Sequence, residues 1–157
     1  MSTRFLKIVI AFIGLIVLSI SIFGLPRIAI DVADSPRLVQ LVVYSILSGM
    51  YISAIPFFIA LYQAVQLLRY IDRKNAFSEL SVQALKVIKR CALSISFIYV
   101  GIMPAIYLFG EKDDAPGVIL IGLLIIFASF VIAVFALVLQ KLLKSAIDMK
   151  TENDLTV

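Results

Sequence analysis

Hydrophobic and polar positions fall along this chain in long blocks. Four blocks contain no Asp, Glu, Lys or Arg: residues 8–26, 38–68, 91–110 and 115–140. A bilayer core about 30 Å thick is crossed by about 20 helical residues. All four blocks reach that length once Lys7 is allowed to snorkel at the edge of the first. Backbone groups surrounded by lipid must bond within their own helix or within a closed barrel. Barrel strands alternate in polarity over about 10 residues, whereas residues 117–139 (GVILIGLLIIFASFVIAVFALVL) do not alternate. The pattern therefore predicts one all-α membrane domain of four transmembrane helices, over about 4–24, 36–71, 79–109 and 116–150, with a flexible tail at 151–157.

The helix ends follow from local chemistry. The first block lies behind Arg4 and Lys7 but is longer than a signal-peptide apolar region and lacks a good small-x-small cleavage site, so it is expected to stay as an anchor. Gly24 and Pro26 are expected to close it, leaving an outer loop over 26–35. Ser35 reads as an N-cap with Pro36 at the first helical position. The second block spans about 46 Å if fully helical, which predicts tilt, a kink or projection into the cytoplasm. Pro56 and Pro104 each break one backbone bond and predict kinks at similar depth. Asp34-Ser35-Pro36 and Asp114-Ala115-Pro116 enter their helices alike, either through duplication of a hairpin or through shared helix-start chemistry.

Residues 69–90 form the informative polar segment. Asn75-Ala76-Phe77-Ser78 reads as a turn, with Ser78 as N-cap, Glu79 at the positive end of the helix dipole, and Phe77 stapled onto Val82. Leu80, Ala84, Val87, Ile88 and Cys91 share one helical face. Glu79, Gln83, Lys86 and Arg90 lie on or near the other. This predicts an amphipathic helix running into the third span.

Composition removes whole classes of protein. The chain is 62% hydrophobic and 15% charged, with mean hydropathy +1.11. Soluble domains are about 45–50% apolar and about 25% charged, and a globule this small cannot hide the excess. A soluble enzyme domain, a disordered tail and a disulfide scaffold are excluded. Eleven of the 14 basic residues fall on the side of the N-terminus, the 69–90 segment and the C-terminal extension, against Arg27, Arg37 and Lys112 on the other. The positive-inside rule then puts both termini in the cytoplasm of a multi-pass protein of the bacterial cytoplasmic membrane.

Candidate chemistry is sparse. There is no His and one Cys, and Cys91 reads as a small packing residue. No acid or base falls in mid-membrane, where pumps and coupled transporters carry theirs. Neither a paired-carboxylate site nor a phosphate-cradling loop is present, so the expectation is a non-enzymatic protein without cofactor or metal. Two candidate sites remain. Tyr44, Tyr51 and Tyr62 share a face of the second helix and, with Pro56 and Pro104, mark either an intramembrane groove for a lipid or other hydrophobic ligand or plain interhelical packing. Arg73, Lys74, Phe77, Glu79, Lys86, Lys89 and Arg90 mark a cytoplasmic surface that either attracts anionic lipid or docks a partner. No recognition motif supports direct nucleic-acid binding. Small-xxx-small spacings (Ser45, Gly49, Ser53; Gly101, Ala105; Ser129, Ala133) suit either the monomer bundle or a homodimer.

Asn75-Ala76-Phe77-Ser78 followed by Leu85-Lys86-Val87-Ile88, Asp113-Asp114-Ala115-Pro116-Gly117, and Glu152-Asn153-Asp154-Leu155-Thr156 together resemble the bacterial membrane family catalogued as domain of unknown function 2975. The resemblance covers nearly the whole chain. It implies a four-helix inner-membrane protein, often encoded beside a small helix-turn-helix regulator of the Cro/CI kind, and it supplies no catalytic residue. Binding or sensing, with such a regulator as partner, is the leading expectation. A small transporter or hydrophobic-ligand protein is the alternative.

Overall fold

Four helical spans are long and apolar enough to cross a membrane: Thr3–Asp31, Arg37–Asp72, Glu79–Lys112 and Pro116–Asn153. They belong to a computed structural model that describes residues 2–74, 76–112 and 114–156, the side chains of Ser2, Asp154 and Thr156 excepted. The elements are α1 (Ser2–Ser19), a π-helical turn (Ile20–Gly24), α2 (Leu25–Asp31), α3 (Arg37–Asp72), α4 (Glu79–Lys112) and α5 (Pro116–Thr156). Asn75 and Asp113, which the sequence places in the two turns flanking α4, lie outside the described residues.

The first span does not end at Gly24 and Pro26. The Leu25 N–H bonds back five residues to the Ile20 carbonyl, and Pro26 falls in the first turn of α2. The π turn takes up one extra residue, so the proline ring meets a widened turn and the rod continues. The expected outer loop shrinks to residues 32–36. At the next start Pro36, not Ser35, holds the N-cap, with φ −53° and ψ 150°, and its carbonyl accepts the Gln40 N–H at 3.0 Å. Ser78 lies where the sequence puts it: its carbonyl accepts the N–H groups of Ser81 at 3.1 Å and Val82 at 3.3 Å. Phe77 stays exposed, so a staple onto Val82 would leave most of its ring open. The last helix runs on to Thr156 instead of fraying after Lys150. No Gly or Pro follows Gly122 to stop it, and the Thr151 hydroxyl bonds back to the Ile147 carbonyl at 3.0 Å.

The spans pack antiparallel, with α4 between α3 and α5 and the first span resting on α3. Close approach is set by small residues. Gly49 of α3 faces Ile102 of α4, and Gly122 of α5 faces Met103 and Ile106. Ser53, Ser129 and Ala133 are likewise buried, while Gly101 has open space around it. Being packed on two sides widens the buried face of the segment that opens α4. Ser81 is fully buried, with Val82, Ala84, Leu85, Cys91 and Ala92, whereas Leu80, expected on the apolar face, is 55% exposed.

Phe12, Phe23, Phe97, Phe127, Phe130 and Phe135 are all more than half exposed around the outside. In water such a surface would drive association; lipid is an equally apolar neighbour. Lys7 and Asp72 pair at 2.8 Å, as do Lys144 and Glu79. These ties gather the start of α1, the end of α3, the start of α4 and the extension of α5 at one end of the bundle. The eleven basic residues of one side thus share a single polar end.

Candidate functional site

The first span is fastened to α3 at its two ends. At the basic end Asp72 accepts a hydrogen bond from Thr3 and pairs with Lys7. At the other end Leu25 is buried with Val43 and Leu47, flanked by Ala29, Val32, Val39, Met50 and Phe109. Between these anchors α3 presents Ser53, Ala54, Ala60 and Ala64, side chains too short to fill the space. The result is a cavity of about 550 Å³ to which all four spans contribute. Its walls follow helical spacing on every span: Val17, Ile20, Ser21 and Leu25 on the first; Met50 to Ala64 on α3; Ile88, Ala92, Ile95 and Tyr99 on α4; Ile125, Ala128, Ser129 and Ile132 on α5. Nearly all of this lining is carbon. The hydroxyls of Ser21 and Ser53 are turned to carbonyls of their own helices, Val17 at 2.9 Å and Met50 at 2.8 Å.

None of Tyr44, Tyr51, Tyr62, Pro56 and Pro104 lines this cavity. The tyrosine stripe lies on a neighbouring face of α3, where two of its members hold the first span. Tyr51 donates to the Ser21 carbonyl at 2.6 Å and Tyr44 to the Ala29 carbonyl at 3.3 Å. The Ser21 carbonyl needs that donor. In the register that joins Leu25 to Ile20, its partner would be the nitrogen of Pro26, which has no hydrogen. A carbonyl orphaned in lipid is costly, and a hydroxyl from the next helix relieves it by about 1 kcal/mol. Tyr62 is mostly exposed and accepts a hydrogen bond from Gln66 at 2.6 Å. Tyr44 and Tyr51 thus tie the first span to α3.

The residues expected to form a cytoplasmic surface divide into two groups along the basic end. Arg73, Lys74, Phe77 and Glu79 are exposed at the α3–α4 turn. Lys86 and Lys89 are half-buried on α4, and Arg90 is exposed beside them. Lys74 terminates α3 in the left-handed region, with φ 61°. Glu79 is engaged by Lys144. Among the described residues no three His, Cys, Asp or Glu side chains gather as a metal site would require, and Cys91 is buried.

The cavity had a signal in the sequence that the tyrosines obscured. Ser53, Ala54, Phe57, Ala60, Leu61 and Ala64 repeat at three- and four-residue spacing, a small-residue face beside the aromatic one. That such a face leaves space, and is not closed by a neighbour, depends on where the first span is held.

Comparison with known proteins gives a consistent picture. Residues 8–157 match the family described as "Protein of unknown function (DUF2975)". A protein of Bacillus subtilis (strain 168), "Uncharacterized membrane protein YoaS", is 57% identical over 157 residues, covering all of this chain and 98% of the relative. No solved structure matches.

Proposed function

The chain belongs to the DUF2975 family and is a membrane-embedded protein, and from this premise we propose that it binds an apolar molecule in the cavity among its four spans, without catalysing a reaction. The cavity carries this reading. Its volume of about 550 Å³ falls in the range of about 300–1,000 Å³ typical of small-molecule sites. Walls of carbon favour an occupant with carbon surface. The first and fourth spans, which both line it, make no substantial packing contact with each other, so a ligand has a route in from the bilayer. Ala54 of α3 and Ala128 of α5 stand on separate walls. Ala54→Phe and Ala128→Phe are each expected to weaken binding of an apolar fluorescent probe such as N-phenyl-1-naphthylamine by at least about tenfold, or 1.4 kcal/mol, with helix content unchanged. Undiminished binding in both variants would remove the cavity from consideration.

The basic end belongs in the cytoplasm on this reading, because eleven of the 14 basic residues gather there. That makes the protein an N-in, C-in protein of the bacterial cytoplasmic membrane. An Arg73→Cys variant is expected to react with a membrane-impermeant maleimide in inside-out vesicles and not in intact cells; the reverse result would invert the orientation.

A second reading, docking of a cytoplasmic partner, is favoured by how the charges are shared. The two acids of the 69–90 segment, Asp72 and Glu79, are neutralised by lysines from outside it, Lys7 and Lys144. Arg69, Arg73, Lys74, Lys86, Lys89 and Arg90 consequently have no ion-pair partner among the described residues. The family resemblance suggests a small helix-turn-helix regulator as that partner. Changing Lys86, Lys89 and Arg90 together to Glu is expected to abolish its co-purification. Unchanged recovery would argue against this surface.

A further inference from the structure

Tyr99 stands apart from the other tyrosines. Tyr44, Tyr51 and Tyr107 donate hydrogen bonds to a carbonyl or carboxylate, and Tyr62 accepts one from Gln66. Tyr70 sits at the basic end, beside Arg69, where water is at hand. Tyr99 lies within the third span, nine residues from Arg90 and twelve from Glu111, which puts it about 13 Å and about 18 Å along the helix from the nearest charges. It lines the cavity, and its hydroxyl has no hydrogen-bond partner among the described residues. Ser129 of α5 lines the same cavity, is only 8% exposed, and likewise has no hydrogen-bond partner among the described residues. A serine within a helix commonly turns its hydroxyl to the carbonyl four residues back, as Ser21 does; Ser129 does not.

Two cavity-lining residues within the spans thus carry hydroxyls with no hydrogen-bond partner among the described residues, and in hydrocarbon such groups are expensive unless something there accepts their protons. A site built to hydrogen-bond a ligand rejects the analogue that lacks the group far more strongly than a carbon wall rejects a change of shape. A phospholipid acyl chain offers nothing to bond at this depth, since its ester oxygens stay at the interface. Resting on the cavity reading above, we infer that the occupant is a lipophilic carbonyl compound of the quinone class, with a carbonyl oxygen accepting from Tyr99 and Ser129 inside the hydrocarbon core. The hydrocarbon part of the ligand lies against Ala54, Ala128 and Ile132, and the two hydroxyls set its depth.

The test compares two probes of similar shape on the full chain in lipid nanodiscs: tritiated 2-decyl-1,4-benzoquinone, and decylbenzene as its competitor. Saturable quinone binding is expected, with decylbenzene at least about tenfold weaker. Tyr99→Phe keeps the ring and removes only the oxygen; it is expected to lower quinone affinity about tenfold and leave decylbenzene unchanged. Ser129→Ala is expected to give a smaller loss of about threefold. If both probes bind equally, neither variant changes either, and Ala54→Phe still blocks both, the carbonyl assignment is overturned and the cavity reading survives. If neither probe binds saturably, the cavity reading itself falls, and this inference with it.

Discussion

Replacing Gly49 by Leu is expected to destabilise the protein by about 3 kcal/mol, at the upper end of the cost of forcing extra carbon into a packed core. A Cβ placed on Gly49 would stand 2.6 Å from Cγ2 and 2.8 Å from Cδ1 of Ile102, closer than carbon atoms approach. Alanine there can be relieved by turning the Ile102 side chain, and about 1 kcal/mol is expected. Leucine cannot be relieved that way; it must wedge α3 from α4, whose contact is one of the two extensive ones in the bundle. Gly101 is the control one helix away, because nothing lies within 4 Å of a Cβ built on it. Gly101→Leu is expected to stay within about 0.5 kcal/mol of the parent. Thermal or SDS-induced unfolding of the purified protein in detergent reads all three. Equal effects at positions 49 and 101 would contradict the α3–α4 contact.

The second large effect is expected at the C-terminal end of α4. Gly110 accepts the Ala115 N–H at 2.8 Å and so helps close the short turn into α5. Its absent side chain leaves room for the returning strand of backbone. A Cβ would meet Ile119 Cγ1 at 2.7 Å and the Ala115 carbonyl oxygen at 3.1 Å. The isoleucine can shift, but a carbonyl held in the turn cannot move without opening it. Gly110→Val is expected to cost about 2–3 kcal/mol. It should also raise hydrogen exchange at residues 115–119 while the basic end, tied separately by Lys144 and Glu79, keeps its protection. Uniform loss of protection along α4 and α5 would mean that the turn is not an independent constraint.

How far each feature could be seen in advance depended on the distance over which it is determined. Ser78 was legible as the start of α4 because its neighbours within one turn suffice to define a cap. The end of the first helix is set by more than its local sequence. Gly24 and Pro26 are local stop signals, but the π turn and the donor supplied by Tyr51 of another helix let the chain pass through them. The tyrosine stripe was visible as a stripe, and its two readings could not be separated until the first span was placed against it. Leu80 and Ser81 exchange the burial their polarity suggests, since α4 is covered from two directions and the sequence pattern anticipates one.

Solvent explains the division. The sequence by itself determined four helical spans and the segregation of basic residues, because lipid forces every uncharged block of about 20 residues to satisfy its own backbone and admits charge only at the ends. That demand acts on each segment separately and needs no knowledge of its neighbours. The low charged fraction with which composition excluded a soluble domain belongs to the same level. Only the tertiary structure decided that the first span is held at its ends by Asp72 and Leu25, that small residues between those anchors face one another across a cavity, and that Tyr99 and Ser129 line it without hydrogen-bond partners among the described residues. Unfilled volume and unmet hydrogen bonds are relations between helices, and no single segment carries them.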